Sequence, residues 1–215
     1  LCKDAERCGV EIVSIVLNDL CKNGFVHAKG DPRREIAWKT MESGVETAAR
    51  MGVRSICLPS FFDNAIRDTD GYARTVSALR HICTLGAAQG IAIYTENVMD
   101  ADGLAQLFRD VACENLNLLF DSQNYSCMAG LDAAPVFAAA GARVGDFLHV
   151  KDGTDTLGTA PLGTGSSGFL HTLRTIVANG FTGYYILENK YSSLKAAEHE
   201  IAAFREMLRH AAQQA

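Results

Sequence analysis

The sequence predicts an α/β fold of the (β/α)₈ barrel type, on three observations. Amphipathic helical stretches alternate with short apolar runs through all 215 residues. The runs are almost continuously apolar rather than alternating, the signature of parallel strands buried on both faces. Four of the later runs stop at a polar residue: Glu96 after IAIYT, Asp121 after NLNLLF, His149 after VGDFL, and Glu188 after YYIL. A barrel gathers the C-terminal ends of all its strands at one mouth, so such tips converge there.

The elements follow in order. LCKDAERCG opens the chain as the end of a helix. A strand is expected near 11–17, after Gly9. Asp31-Pro32 supplies a cap and a first-turn proline. The helix it starts carries Ile36, Ala37, Met41, Val45 and Ala48 on its apolar side. Gly52 ends it and turns the chain into a strand at 53–58; glycine just past a helix takes the left-handed conformation this needs. Tyr72, Val76, Leu79, Ile82 and Leu85 stripe the next helix, and Gly90 leads to a strand at 91–96. Leu104, Leu107, Phe108 and Val111 mark a helix before the strand at 115–121, and Val136 and Phe137 a short one before Gly141 and the strand at 145–150. Phe169, Leu173, Ile176 and Val177 mark a helix that reaches Gly180 and the strand at 184–188. Ala197, Ile201, Phe204 and Leu208 stripe the last helix. The Gly/Thr/Ser stretch from Gly153 to Gly168 is long for a loop, and long loops in compact domains are often functional.

No linker or shift of composition interrupts residues 1–215, which are therefore read as a single domain. About six strands are visible where a closed barrel needs eight, and an open arc would leave strand edges bare. The chain is accordingly expected to be N-terminally incomplete, with the first two βα units of the barrel missing. A doubly wound open sheet is the alternative, but it would not bring four distant strand tips to one point.

With 48% hydrophobic and 21% charged residues the composition is globular. The net charge of −5 argues against a nucleic-acid surface. No apolar run reaches the roughly 20 residues of a membrane span. The seven cysteines are odd in number and include no C-x-x-C pair, as expected of reduced thiols in a cytoplasmic protein. There is no G-x-G-x-x-G after a strand and no Walker loop.

Carboxylates at the tips of apolar strands are costly unless paired. One divalent cation serves three acids and an imidazole together. The runs YTEN, LLFDSQN, FLHVKDG followed by APLGTGSSGF, and YYILEN resemble the xylose-isomerase-like TIM barrels, the sugar phosphate isomerase/epimerase superfamily. The resemblance covers essentially the whole chain and begins after the family's second strand. It implies one metal at the barrel mouth held by Glu96, Asp121, His149 and Glu188. Mn²⁺ or Mg²⁺ suits that donor set best, with Zn²⁺ and Co²⁺ acceptable. It also implies an isomerase or epimerase acting on a small-molecule sugar or sugar phosphate. Such an enzyme takes a proton from the carbon beside a carbonyl and passes through a metal-stabilised enediolate. By analogy Glu96 and Glu188 are the catalytic acid/base pair, and a homo-oligomer is expected.

Other residues receive roles by position. Asn124 stands where many relatives carry a histidine; it can hydrogen-bond a sugar hydroxyl but cannot act as a base. Lys151 lies two residues past His149, on the same side of the strand. It binds either a substrate oxyanion or a neighbouring acid. Phe61 and Phe62 follow a strand and are placed to wall a substrate pocket. Asp152 reads as a loop hydrogen-bonder, His27 as a solvated loop histidine, Arg67 as a surface ion-pair partner and Trp38 as helix packing. Two other functions use similar parts: a dehydratase (lyase) of keto-inositol type with the same metal and base, and a non-catalytic sugar-binding barrel. The superfamily's DNA-repair endonucleases need further histidines, and Leu58-Pro59-Ser60 and Asn124 stand at those places.

Overall fold

The computed structural model describes residues 1–214. Its elements are α1 (Cys2–Cys8), β1 (Ile15–Val16), α2 (Pro32–Met51), β2 (Ser55–Pro59), α3 (Thr69–Ala88), β3 (Ala92–Glu96) and α4 (Ala101–Val111). There follow β4 (Leu116–Leu118), α5 (Asn124–Ala129), α6 (Ala133–Ala140), β5 (Phe147–Val150), α7 (Phe169–Ala178), β6 (Tyr184–Leu187) and α8 (Leu194–Gln214). The chain gathers into two compact units. One holds Leu1–Asn97 with Gln106–Asn117; the other holds Val98–Ala105 with the chain from Leu118 onward.

The first unit is a parallel sheet in the order β1-β2-β3-β4. β2 and β3 pair from Ser55↔Ala92 to Pro59↔Glu96. Every residue of β2 is buried, as its unbroken apolar run requires. α2 begins where Asp31 caps it, its side chain accepting from the Arg33 N–H. It buries Ala37, Met41, Val45 and Ala48. Gly44, also on that side, packs closely on Leu17: a Cβ there would stand 2.8 Å from a Leu17 methyl, which would have to shift. Ile36 departs from the expected stripe and is 44% exposed. α3 buries Val76, Leu79 and Ile82. Trp38 of α2 is half-buried and packs against α3, its ring 4.5 Å from that of His81 and 4.7 Å from the Arg34 guanidinium, the helix packing its spacing suggested.

In the second unit the chain leaving β4 lies beside β5, with parallel bridges Leu118↔Val144 and Asp121↔His149. β5 pairs with β6 from Phe147↔Tyr184 to Val150↔Leu187. An aromatic chain crosses the core. Phe120 stacks on Tyr125 at 5.4 Å and meets Phe137 edge-on at 5.1 Å. Phe181, Tyr185 and Phe204 carry the edge contacts on from Phe137. β6 is less covered than β5, and Tyr184 is 64% exposed. Ile201, expected on the buried stripe of α8, is 38% exposed, while Phe204 is buried.

All six expected strands form, each shorter than its apolar run. The five glycines expected to turn helix into strand all have positive φ: Gly9, Gly52, Gly90, Gly141 and Gly180. α5 was not expected, because NYSCMA carries no clear helical stripe.

Candidate metal centre

Three parallel segments of the second unit end close together. Asp121 lies just past β4, in register with His149 on β5. Its Oδ1 accepts from the backbone N–H groups of Gln123 and Asn124, both at 2.8 Å. A carboxylate at the start of a helix satisfies donors the helix leaves unpaired, and α5 begins at Asn124 for this reason. The other oxygen, Oδ2, lies 3.9 Å from His149 Nδ1 and 2.9 Å from the Lys151 ammonium. Glu188 is one residue past β6, held there by its N–H donating to Val150 O at 3.0 Å. Its Oε2 stands 3.4 Å from His149 Nδ1 and 2.5 Å from Lys151 Nζ. The register that opposes Val150 to Leu187 brings Lys151 beside Glu188.

The two acids sit in different surroundings. Asp121 is 1% exposed, whereas the Glu188 side chain is 45% exposed. Burial pushes the Glu188 carboxyl up. The hydrogen bond and charge of His149, with the Lys151 ammonium, outweigh it and lower it to about 2. Burial pulls the Lys151 ammonium down, but the charges of Asp121 and Glu188 dominate and raise it above the ordinary lysine value. Lys151 therefore bridges neighbouring acids, one of the two roles its position allowed. With both carboxylates ionised and Lys151 protonated, the cluster keeps one net negative charge when His149 is neutral. Hard carboxylate oxygens and one imidazole nitrogen, with negative charge to spare, fit a divalent ion of the Mg²⁺, Mn²⁺ or Zn²⁺ kind.

Asn124 is buried as the first residue of α5, its N–H committed to Asp121. In the first unit Glu96 closes β3, is 6% exposed, and accepts from the Ser60 N–H through its backbone oxygen at 2.8 Å. The Cys57 thiol is 3.9 Å from its Oε2. Burial and the charge of Glu96 push the Cys21 thiol up. Phe61 is buried at the tip of β2, while Phe62 is 64% exposed with φ 53°.

Two expectations are corrected in that unit. His27 is not solvated: its Nε2 lies 2.7 Å from Asp63 Oδ2, and Asp63 also receives the Arg33 guanidinium and the Gly24 N–H. This cluster ties the segment after β1 to the segment after β2. Arg67 donates to the Phe62 carbonyl at 2.8 Å instead of pairing with an acid.

Asp152 is the loop hydrogen-bonder its position suggested, on a larger scale than the sequence indicates. Its Oδ1 accepts from Gly153 N and Ser167 Oγ, and its Oδ2 from Gly163 N and Gly165 N. Gly165 must be glycine here, because a Cβ would lie 2.3 Å from Asp152 Oδ1. Gln123 holds the same loop from the other side, accepting from Gly158 N and donating to Thr156 O. Sequence reasoning missed Gln123, Asn189 and Glu200, which brace this loop. Four of these bonds are donated by backbone N–H groups, which leave no mark in a sequence.

A family profile described as "Xylose isomerase-like TIM barrel" matches residues 2–211. The chain belongs to that family. Within it, the chain is 30% identical over 189 residues to the 2-epi-5-epi-valiolone 7-phosphate 2-epimerase of Actinoplanes sp. (strain ATCC 31044 / CBS 674.73 / SE50/110). That match covers 87% of this chain and 68% of the relative. Among solved structures, an L-ribulose 3-epimerase superposes with TM-score 0.78 at 16% identity, covering 99% of this chain and 80% of the other. A xylose isomerase-like TIM barrel protein from Mycobacterium smegmatis, in complex with magnesium, gives 0.72 at 15% identity over 98% and 77%. These two likenesses establish the fold as the family's barrel. Among the described residues, no helix is long and apolar enough to cross a membrane.

Proposed function

We propose that the chain is a divalent-metal-dependent epimerase of a sugar or sugar phosphate. The observation that carries the reading is the convergence of Asp121, His149 and Glu188 from three successive parallel segments. The Actinoplanes relative, a 2-epi-5-epi-valiolone 7-phosphate 2-epimerase, supports the reaction class. By the family resemblance Glu96, at the tip of the strand preceding β4, is the fourth ligand in this reading. Asn124, Lys151 and Phe61 face the substrate in this reading.

A bound Mn²⁺ or Mg²⁺ would polarise the substrate carbonyl and stabilise the enediolate. The protein's own groups do the rest. Epimerisation removes a proton from one face of a carbon and returns one to the other face, so it needs two acid/base groups. Glu188, held ionised by His149 and Lys151, is the proton acceptor in this reading. Glu96, buried at the end of β3, is the second acid/base group in this reading. Asp121 is fixed by two backbone N–H groups and serves to hold the ion, not to move. Lys151, which bridges Asp121 and Glu188, keeps Glu188 ionised and in place.

The test is solvent exchange. Metal-stripped protein reloaded with Mn²⁺ is offered ketoses and polyol phosphates in deuterated water. Deuterium entering one carbon, with a new epimer formed, supports the proposal. Loss of water from the substrate assigns the site to a lyase instead. Tight metal binding with no exchange across the panel marks a binding protein.

A further inference from the structure

We infer that Glu200, on α8, is a positioning residue for Glu188 and Lys151. This rests on the role proposed for Glu188. Glu200 gathers three donors from two different segments. Its Oε1 accepts from Leu162 N at 2.9 Å and Asn189 Nδ2 at 3.0 Å. Its Oε2 accepts from Tyr191 Oη at 2.5 Å and from the same Asn189 nitrogen at 3.0 Å. Burial and this bond push the Tyr191 phenol well above its ordinary value.

Asn189 carries the constraint to the site. Its Nδ2 also donates to Ala160 O at 2.9 Å, and its Oδ1 accepts from Asp152 N at 3.0 Å. Asn189 directly follows Glu188, and Asp152 directly follows Lys151. One amide therefore ties together the backbone beyond both members of the ion pair, and Glu200 fixes that amide. Lys190 N donates to Gly158 O at 2.8 Å, closing the same seam.

The constraint is needed because of where Glu188 sits. It lies past the last paired residue of β6, and its side chain is half exposed. Its side chain is held by Lys151 and His149 and its N–H by Val150 O, and the backbone just after it is fixed through Asn189. Partners behind a ligand commonly set metal affinity by orienting it.

The test uses the full chain, stripped of metal, with Mn²⁺ as the probe. Glu200→Ala should weaken Mn²⁺ binding about tenfold by calorimetry and lower kcat with KM little changed. Glu200→Gln, which keeps an acceptor oxygen, should fall between. Glu198→Gln, exposed on the same helix, should match the wild type. Wild-type affinity in folded Glu200→Ala overturns the inference. If that variant shows no cooperative melt, the decision passes to Glu200→Gln, where unchanged affinity overturns it. If the wild-type protein binds no Mn²⁺, the metal reading fails, and positioning is judged separately. The ¹⁵N resonances of the His149 ring, 3.4 Å from Glu188, must then shift in Glu200→Gln. Unmoved resonances overturn it.

Discussion

Replacing Lys151 by methionine separates the protein's own electrostatics from those of a bound ion. Lys151 is 8% exposed and lies 2.9 Å from Asp121 and 2.5 Å from Glu188. Methionine keeps most of the volume and removes the charge, so the cavity contribution is small. Breaking a buried ion pair by deleting one partner costs about 3–5 kcal/mol, because the other charge stays buried and uncompensated. Asp121, at 1% exposure, meets that condition; Glu188, at 45%, is partly relieved by water. The lower end, about 3 kcal/mol, is therefore expected for metal-free protein, and for a chain of this size it lowers Tm by roughly 6–12 °C. The assay is urea unfolding of wild type and variant, with and without Mn²⁺. The variant should regain most of the loss when Mn²⁺ is present, and its Mn²⁺ affinity should exceed that of the wild type, because a like charge beside the ion is gone. A variant within about 0.5 kcal/mol of wild type without metal would refute the reasoning, since Asp121 would then not depend on Lys151.

Further outcomes follow from the same geometry. Glu96→Gln and Glu188→Gln should each abolish turnover, and near-normal turnover in either removes it from the acid/base pair. Phe137→Ala takes away the ring between Phe120 and Phe181 and should cost about 3–5 kcal/mol in chemical denaturation. Acid sensitivity should carry the mark of Glu188. Its folded value of about 2 lies below the ordinary 4.5, so its contribution is complete above about pH 4.5 and is lost as pH falls towards 2. Glu188→Gln should lose less stability than wild type between pH 5 and pH 2.5, and an identical acid profile contradicts the assignment.

The fold was legible because its signals are local. Short apolar runs such as SICLP and FLHV, alternating with helices, read as buried strands, and the glycine before each run marks the turn. The tips were legible for a related reason: a charged group ending such a run must have a partner. What stayed hidden depends on register and on the backbone. Nothing in the sequence shows that Asp152 gathers backbone N–H groups from Gly153, Gly163 and Gly165, or that Glu200 reaches Asn189 from the next helix. His27 was misread because its partner Asp63 lies 36 positions away. Ile36 and Ile201 were misread because apolar spacing marks a face without showing how far the neighbouring elements extend over it.

Calorimetric titration of Mn²⁺ into the metal-stripped protein tests the account most directly. One ion per chain should bind, and binding should be lost in Asp121→Ala and in His149→Ala while both variants remain folded. Undiminished binding in either variant, or no binding to the wild type, would contradict it.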